Sequence, residues 1–202
     1  CLLSRGLGDV YKRQDYQGGY IAGKHLLELG HRHFLYLPGP KYNLSQTRRY
    51  AGIMDALSEA NVPASNIREI DYHTVFGSSA ESTSSYKPYE ELFFPVNYTA
   101  VIGFNDLQSY SAMEILQKKG YRIPEDISLI SFDHLRKTHT YLPPLTSIAD
   151  NSEKSIADTA VSILLDKIRN PSSEISSEVL PVSIFDDHTT GPINETFAHS
   201  FE

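Results

Sequence analysis

TAVIGFNDLQSYSAMEILQKKGYRIPEDISLISFDHL (residues 99–135) holds the two runs that decide the fold. TAVIGF (99–104) and ISLISF (127–132) are apolar at nearly every position, which marks short strands buried on both faces. Between them Asn105 and Asp106 offer a helix cap, Asp106 being the better candidate. The helix then runs to Lys118-Lys119-Gly120, where a basic last turn and a glycine match a helix end. Strands of this kind separated by helices argue for a parallel sheet with helices on both faces.

The flanks repeat the pattern. GYIAGKHLLELG (19–30) reads as a helix with Ile21, Ala22, His25, Leu26 and Leu29 on one side and Gly30 as its stop. HFLYL (33–37) is a strand ended by the Pro38-Gly39-Pro40 turn, and TRRYAGIMDALSEA (47–60) a second helix. REIDY (68–72) is the next strand, and the Ser-rich segment 76–94 is weakly helical at best. After 135, PPLTSI (143–148) leads into a helix over about 151–168, with Ile156, Ala160, Ile163, Leu164 and Ile168 at helical spacing and Asn170-Pro171 as its breaker. VLPVSIF (179–185) is the last strand.

In folds of this class ligands sit beyond the carboxyl ends of the strands. That rule picks out Tyr72, Asn105 and Asp133. Asp133 accepts hydrogen bonds from neighbouring hydroxyls, and Asn105 offers both a donor and an acceptor. Tyr72 presents an apolar ring face to the C–H side of a sugar. Arg49 adds a planar fork of donors suited to paired oxygens. Taken singly, each residue also has a plain structural reading, as a helix cap, as packing or as a solvated cation. Together they can hold a polyol without any catalyst.

The bulk properties narrow the classes. SRGLGDVYKRQ (4–14) is the frame translation of a transposase-type sequencing adapter joined to its mosaic end. Residues 1–14 are therefore expected to be foreign to the native protein, which would begin near Asp15. Setting them aside removes the only cysteine, Cys1, and moves the net charge from −7 to −9. No disulfide framework, zinc cluster or thiol nucleophile is then available. An acidic domain of this kind is a poor grip for a phosphate backbone by itself. No apolar run approaches the roughly 18 residues of a membrane span.

The order of these phrases resembles the effector-binding core of the LacI/GalR (lac-repressor) family of bacterial transcription regulators. DYQGGYIAGKHLLELGHRHFLYLPGP, SQTRRYAGIMDAL, the 99–135 block and YLPPLTSI carry the likeness, which runs from Asp15 to about Pro192. The resemblance implies a periplasmic-binding-protein-like α/β fold: two lobes of parallel sheet flanked by helices around a cleft, here with the amino-terminal lobe incomplete. On that basis 15–30 is a remnant of the amino-terminal lobe and 31–147 the carboxyl-terminal lobe. Residues 148–178 return to the first lobe, 179–192 form a final strand and 193–202 a tail. The implied effector contacts are Arg49, Asn105 and Asp133, with Tyr72 at the aromatic position and Asp150 at a polar position near the hinge. His134 replaces the family's second aspartate, and Asp186-Asp187-His188 stand where an arginine is usual. The resemblance further implies a sugar or sugar phosphate as effector, no cofactor, a homodimer and a cytoplasmic location. Operator DNA would be met only through a headpiece that these residues do not include.

Two other classes compete with this reading. A periplasmic or secreted sugar-binding protein of a transporter shares the fold, but LPPLTSI followed by LPVSI has the form of the regulators' ending. An enzyme would need a nucleophile elbow or a phosphate loop, and neither G-x-S-x-G, G-x-x-x-x-G-K-[ST] nor G-x-G-x-x-G after a strand occurs. The HRH at 31–33 starts a strand and lacks a third ligand for a metal. The Glu90-Glu91 pair is read as solvent-facing.

Overall fold

A computed structural model describes residues 4–40, 42–70, 89–151, 156–172 and 180–199. The described strands are β1 (Phe34–Leu37), β2 (Ile67–Glu69), β3 (Ala100–Gly103), β4 (Ser128–Phe132), β5 (Ser147–Asp150) and β6 (Val182–Phe185). The helices are α1 (Ser4–Glu28), α2 (Leu44–Glu59), α3 (Asp106–Lys118), α4 (Ile156–Arg169) and the short α5 (Glu195–Ala198). All six strands form one sheet in the order β2-β1-β3-β4-β5-β6. Every pairing is parallel except β5 with β6, which is antiparallel. That last strand departs from the all-parallel expectation.

Alternation along each strand builds two cores. Phe34 and Tyr36 of β1, Ala100 and Ile102 of β3, and Ile130 and Phe132 of β4 face one side, under Ala22 and Leu26 of α1 and Ile53 and Leu57 of α2. Leu35, Leu37, Val101 and Leu129 face the other, against Ala112, Met113 and Leu116 of α3. Being covered on both faces, β1, β3 and β4 are buried at every residue, which is why their sequences read as unbroken apolar runs.

The structure bears on the expected helix bounds and on the expected division into lobes. The helix read from about Gly19 extends back to Ser4, because propagating an existing helix costs far less than nucleating one. That helix, assigned to the other lobe, packs in this core, as does β5 through its pairing with β4. Its closeness to α2 rests on glycine: a Cβ on Gly19 would lie 1.9 Å from the Arg49 carbonyl oxygen, and one on Gly52 2.1 Å from that of Tyr16. The apolar stripe of α4 is only partly covered among the described residues: Ala160 and Ile163 are half-buried, Leu164 and Ile168 exposed.

Candidate functional site

The site grows from the turn after β4. Asp133 and His134 both have positive φ, +97° and +48°, a region that costs a non-glycine residue on the order of 1–3 kcal/mol. Three successive backbone N–H groups hold this turn. Asp133 donates to Ile148 O at 3.0 Å, His134 to Ser147 Oγ at 3.0 Å and Leu135 to Asp106 Oδ2 at 2.7 Å. The His134 ring stacks on Phe185 with centroids 4.2 Å apart. The result projects the half-exposed Asp133 carboxylate over the sheet end.

Arg49 reaches the same point from α2. Its Nε donates to Asp15 Oδ1 at 3.0 Å, Nη1 to Phe104 O at 2.5 Å and Nη2 to Asp133 Oδ1 at 3.2 Å. The guanidinium also lies 4.5 Å from the Phe132 ring centroid and 5.0 Å from that of Phe104. One cation thus joins α1, the end of β3 and the end of β4. The Arg49 and Asp15 side chains retain only 14% and 10% of their exposure, so this pair is little screened by solvent.

Around this cluster lies an open cavity of about 410 Å³, within the range that holds small ligands. Asp15, Ser45, Arg49, Asp133, Lys137 and Asp150 supply its polar lining, and Phe132, Ile148 and Val182 its apolar part. Gln14 also lines it, donating through Nε2 to Leu180 O at 2.8 Å. Of the expected contacts, Arg49, Asp133 and Asp150 come together here. Asn105 does not: it lines a neighbouring cavity of about 330 Å³. Tyr72 lies outside the described residues.

Asn105 rather than Asp106 caps α3, its Oδ1 accepting from Gln108 N at 3.0 Å. Asp106 is withdrawn from capping because its carboxylate is occupied by Leu135 N and by Ser147 Oγ, the latter at 2.8 Å. Burial raises its pKa, opposed by those same hydrogen bonds. His31 belongs to no strand. Its ring is buried between Thr99 Oγ1 and Ser128 Oγ, both at 2.9 Å, and burial holds its pKa down at about 4. Among the described residues no cluster of three or more His, Cys, Asp or Glu is arranged to hold a metal ion. Glu91 is exposed as expected, while the Glu90 side chain falls outside the description. Sequence reasoning missed Asp15, Ser45 and Lys137.

A mostly parallel sheet with a polar pocket at the carboxyl ends of its strands is the architecture of an α/β ligand-binding module. Residues 24–190 match the periplasmic binding protein-like domain, and the chain belongs to that family. It is 35% identical over 170 residues to the HTH-type transcriptional repressor PurR of Escherichia coli O139:H28, covering 82% of this chain and 47% of that protein. It is 33% identical over 161 residues to the repressor of the same name from Mannheimia succiniciproducens, covering 79% and 46%. The chain thus spans about half the length of these relatives. Among solved structures, a LacI family regulator from Enterococcus faecium with bound ribose superposes with a TM-score of 0.71 at 26% identity, covering 90% of this chain and 64% of the other. A dimeric Lac repressor gives 0.71 at 27% identity, covering 89% and 63%. No helix among the described residues is long and apolar enough to cross a membrane.

Proposed function

We propose that this chain is the effector-sensing portion of a LacI-type bacterial transcription regulator, and that the cavity around Arg49 receives a sugar or sugar phosphate. The observation that carries the reading is the Asp15–Arg49–Asp133 cluster, a cation locked between two carboxylates at the strand ends. Asp133 accepts from ring hydroxyls, and the free N–H groups of Arg49 donate to ring oxygens. Its function is binding, not turnover. Effector binding would bias the arrangement of two lobes in a homodimer, and with it the affinity of a DNA-binding headpiece in the rest of the protein for operator DNA. That role places it in the cytoplasm. The relatives named above are repressors, which favours the regulator over a transport protein.

The test is calorimetric titration of the chain with a panel of pentoses, hexoses and their phosphates. Arg49→Ala and Asp133→Ala should each weaken the best ligand at least tenfold. Unchanged affinity in both variants would remove the assignment.

A further inference from the structure

At the amino ends of the strands, away from the cavity, the segment after β6 crosses β4 and the turn behind α1. Thr189 anchors it. Its carbonyl accepts from Leu129 N at 2.7 Å, its Oγ1 donates to Leu129 O at 2.7 Å, and its N–H donates to Thr146 Oγ1 at 3.2 Å. Beyond Thr189 the chain rests on two histidines. Thr190 Oγ1 lies 2.9 Å from His25 Nε2, and Gly191 O lies 3.0 Å from His31 Nε2. Ile193 N then donates to Leu29 O at 2.9 Å, Asn194 Nδ2 to Glu125 O at 3.2 Å, and the Phe197 ring meets Tyr121 edge-on. The seating is close: a Cβ on Gly30 would lie 2.8 Å from Ile193 Cγ2.

The partners of Thr189 do not titrate, whereas those of Thr190 and Gly191 do. His31 is 2% exposed, with Thr99 Oγ1 and Ser128 Oγ each 2.9 Å from a ring nitrogen. Ser128 Oγ also accepts from Gly191 N at 3.0 Å, so the lead into β3, the start of β4 and the segment after β6 together enclose the ring. Burial brings its pKa down to about 4 against the hydrogen bond to Gly191 O, and repulsion from His25 on α1 and from Arg32 adds to the fall. Burial also lowers the pKa of half-buried His25, opposed by the carboxylates of Asp186, just past β6, and of Glu28 on its own helix. Lifting the segment returns both rings to water, where an imidazole protonates near pH 6.5. The lifted form therefore binds more protons, and acid favours it.

We propose that residues 190–198, which include α5, form a strap hinged at Thr189 that acid opens while the sheet stays folded, with His25 and His31 as its latch. The latch joins the carboxyl-terminal segment to the first helix and the turn that follows it. It stands on these contacts and not on the effector reading, since none of the residues in the strap or the latch lines the cavity around Arg49.

The experiment is amide hydrogen exchange of the nitrogen-15-labelled chain at pH 7, 6 and 5, each rate corrected for the intrinsic one. Protection of Gly191 and Ile193 should fall at least tenfold from pH 7 to pH 5, His31 alone supplying about twentyfold. At every pH it should stay at least tenfold below that of Thr189 and of Ser131, a buried amide of β4 bonded to Thr146 O. Dilute urea should lower the protection of Ser131 and leave that of Gly191 and Ile193 unchanged, because lifting the strap exposes little surface. His31→Asn should remove most of the pH dependence at the strap amides. His25→Gln, a milder change at a half-buried site, should remove part of it. The proposal is overturned if strap protection does not change with pH, if it matches Ser131 in level and in urea dependence, or if either variant keeps the parent's slope.

Discussion

Asp106 and Ser147 are joined by a 2.8 Å hydrogen bond that ties the first turn of α3 to the start of β5, directly beneath the Asp133–His134 turn. Ser147 Oγ donates to Asp106 and accepts from His134 N, so one hydroxyl holds two elements in register. Ser147→Ala strands a buried carboxylate oxygen and a backbone N–H. A loss of about 1–3 kcal/mol is expected in urea unfolding. Affinity for the best sugar should fall with it, although Ser147 is not among the cavity's lining residues. A variant with full affinity would show that Asp133 holds its position without this support.

Arg49 makes three directional bonds that a lysine cannot reproduce from a single ammonium. Arg49→Lys should cost about 1–3 kcal/mol of stability, because one ammonium cannot serve both the largely buried Asp15 carboxylate and Phe104 O. A double-mutant cycle with Asp15→Asn should report a coupling of about 0.5–3 kcal/mol. Strict additivity of the two changes would mean that the pair in the structure contributes nothing.

Gly52→Ala drives a methyl group to 2.1 Å from the Tyr16 carbonyl, which is backbone and cannot rotate away. Helices α1 and α2 must separate, at about 1–3 kcal/mol. Since Asp15 rides on α1 and Arg49 on α2, their contact should weaken in parallel. Thermal unfolding and sugar titration of this variant check both expectations, and an unshifted melting temperature would contradict the close approach.

His31 makes stability depend on pH in a definite direction. Folded, its ring stays neutral down to about pH 4, while in the unfolded chain it protonates below about 6.5. The unfolded state therefore binds more protons between those values, and stability falls as pH falls through that window. At 1.36 kcal/mol per unit the loss reaches about 3 kcal/mol by pH 4. His25, whose pKa burial also lowers, acts in the same sense. Asp106, with its pKa raised by burial, acts in the opposite one. His31→Asn should flatten most of the dependence in unfolding curves taken at pH 7, 6 and 5. An unchanged slope would place the titration elsewhere.

The strands were legible because double burial writes an unbroken apolar run, and β1, β3 and β4 each lie within a residue of their expected bounds. Chain order and strand ends single out Arg49 and Asp133 in the sequence, and the structure brings the two within 3.2 Å of each other. The choice between Asn105 and Asp106 as cap was not legible, since either side chain can cap. It is decided by Leu135 and Ser147, 29 and 41 residues away. Asp15 left only a weak trace, a carboxylate one turn before Gly18-Gly19, and its role needs the Arg49 side chain in place. The antiparallel course of β6 has no local signature, because its alternation is the same in either direction.

The exposed apolar residues of α4 have a colloidal consequence. Val161, Leu164, Leu165 and Ile168 recur at helical spacing and are 44–64% exposed, on a chain whose net charge is −7. At low ionic strength mutual repulsion keeps copies apart. Salt shortens the reach of that repulsion to about 10 Å at 0.1 M and about 3 Å at 1 M, while leaving apolar attraction in place. The second virial coefficient from light scattering should therefore pass from positive to negative as salt rises, and replacing Leu164 and Ile168 by glutamate should keep it positive throughout.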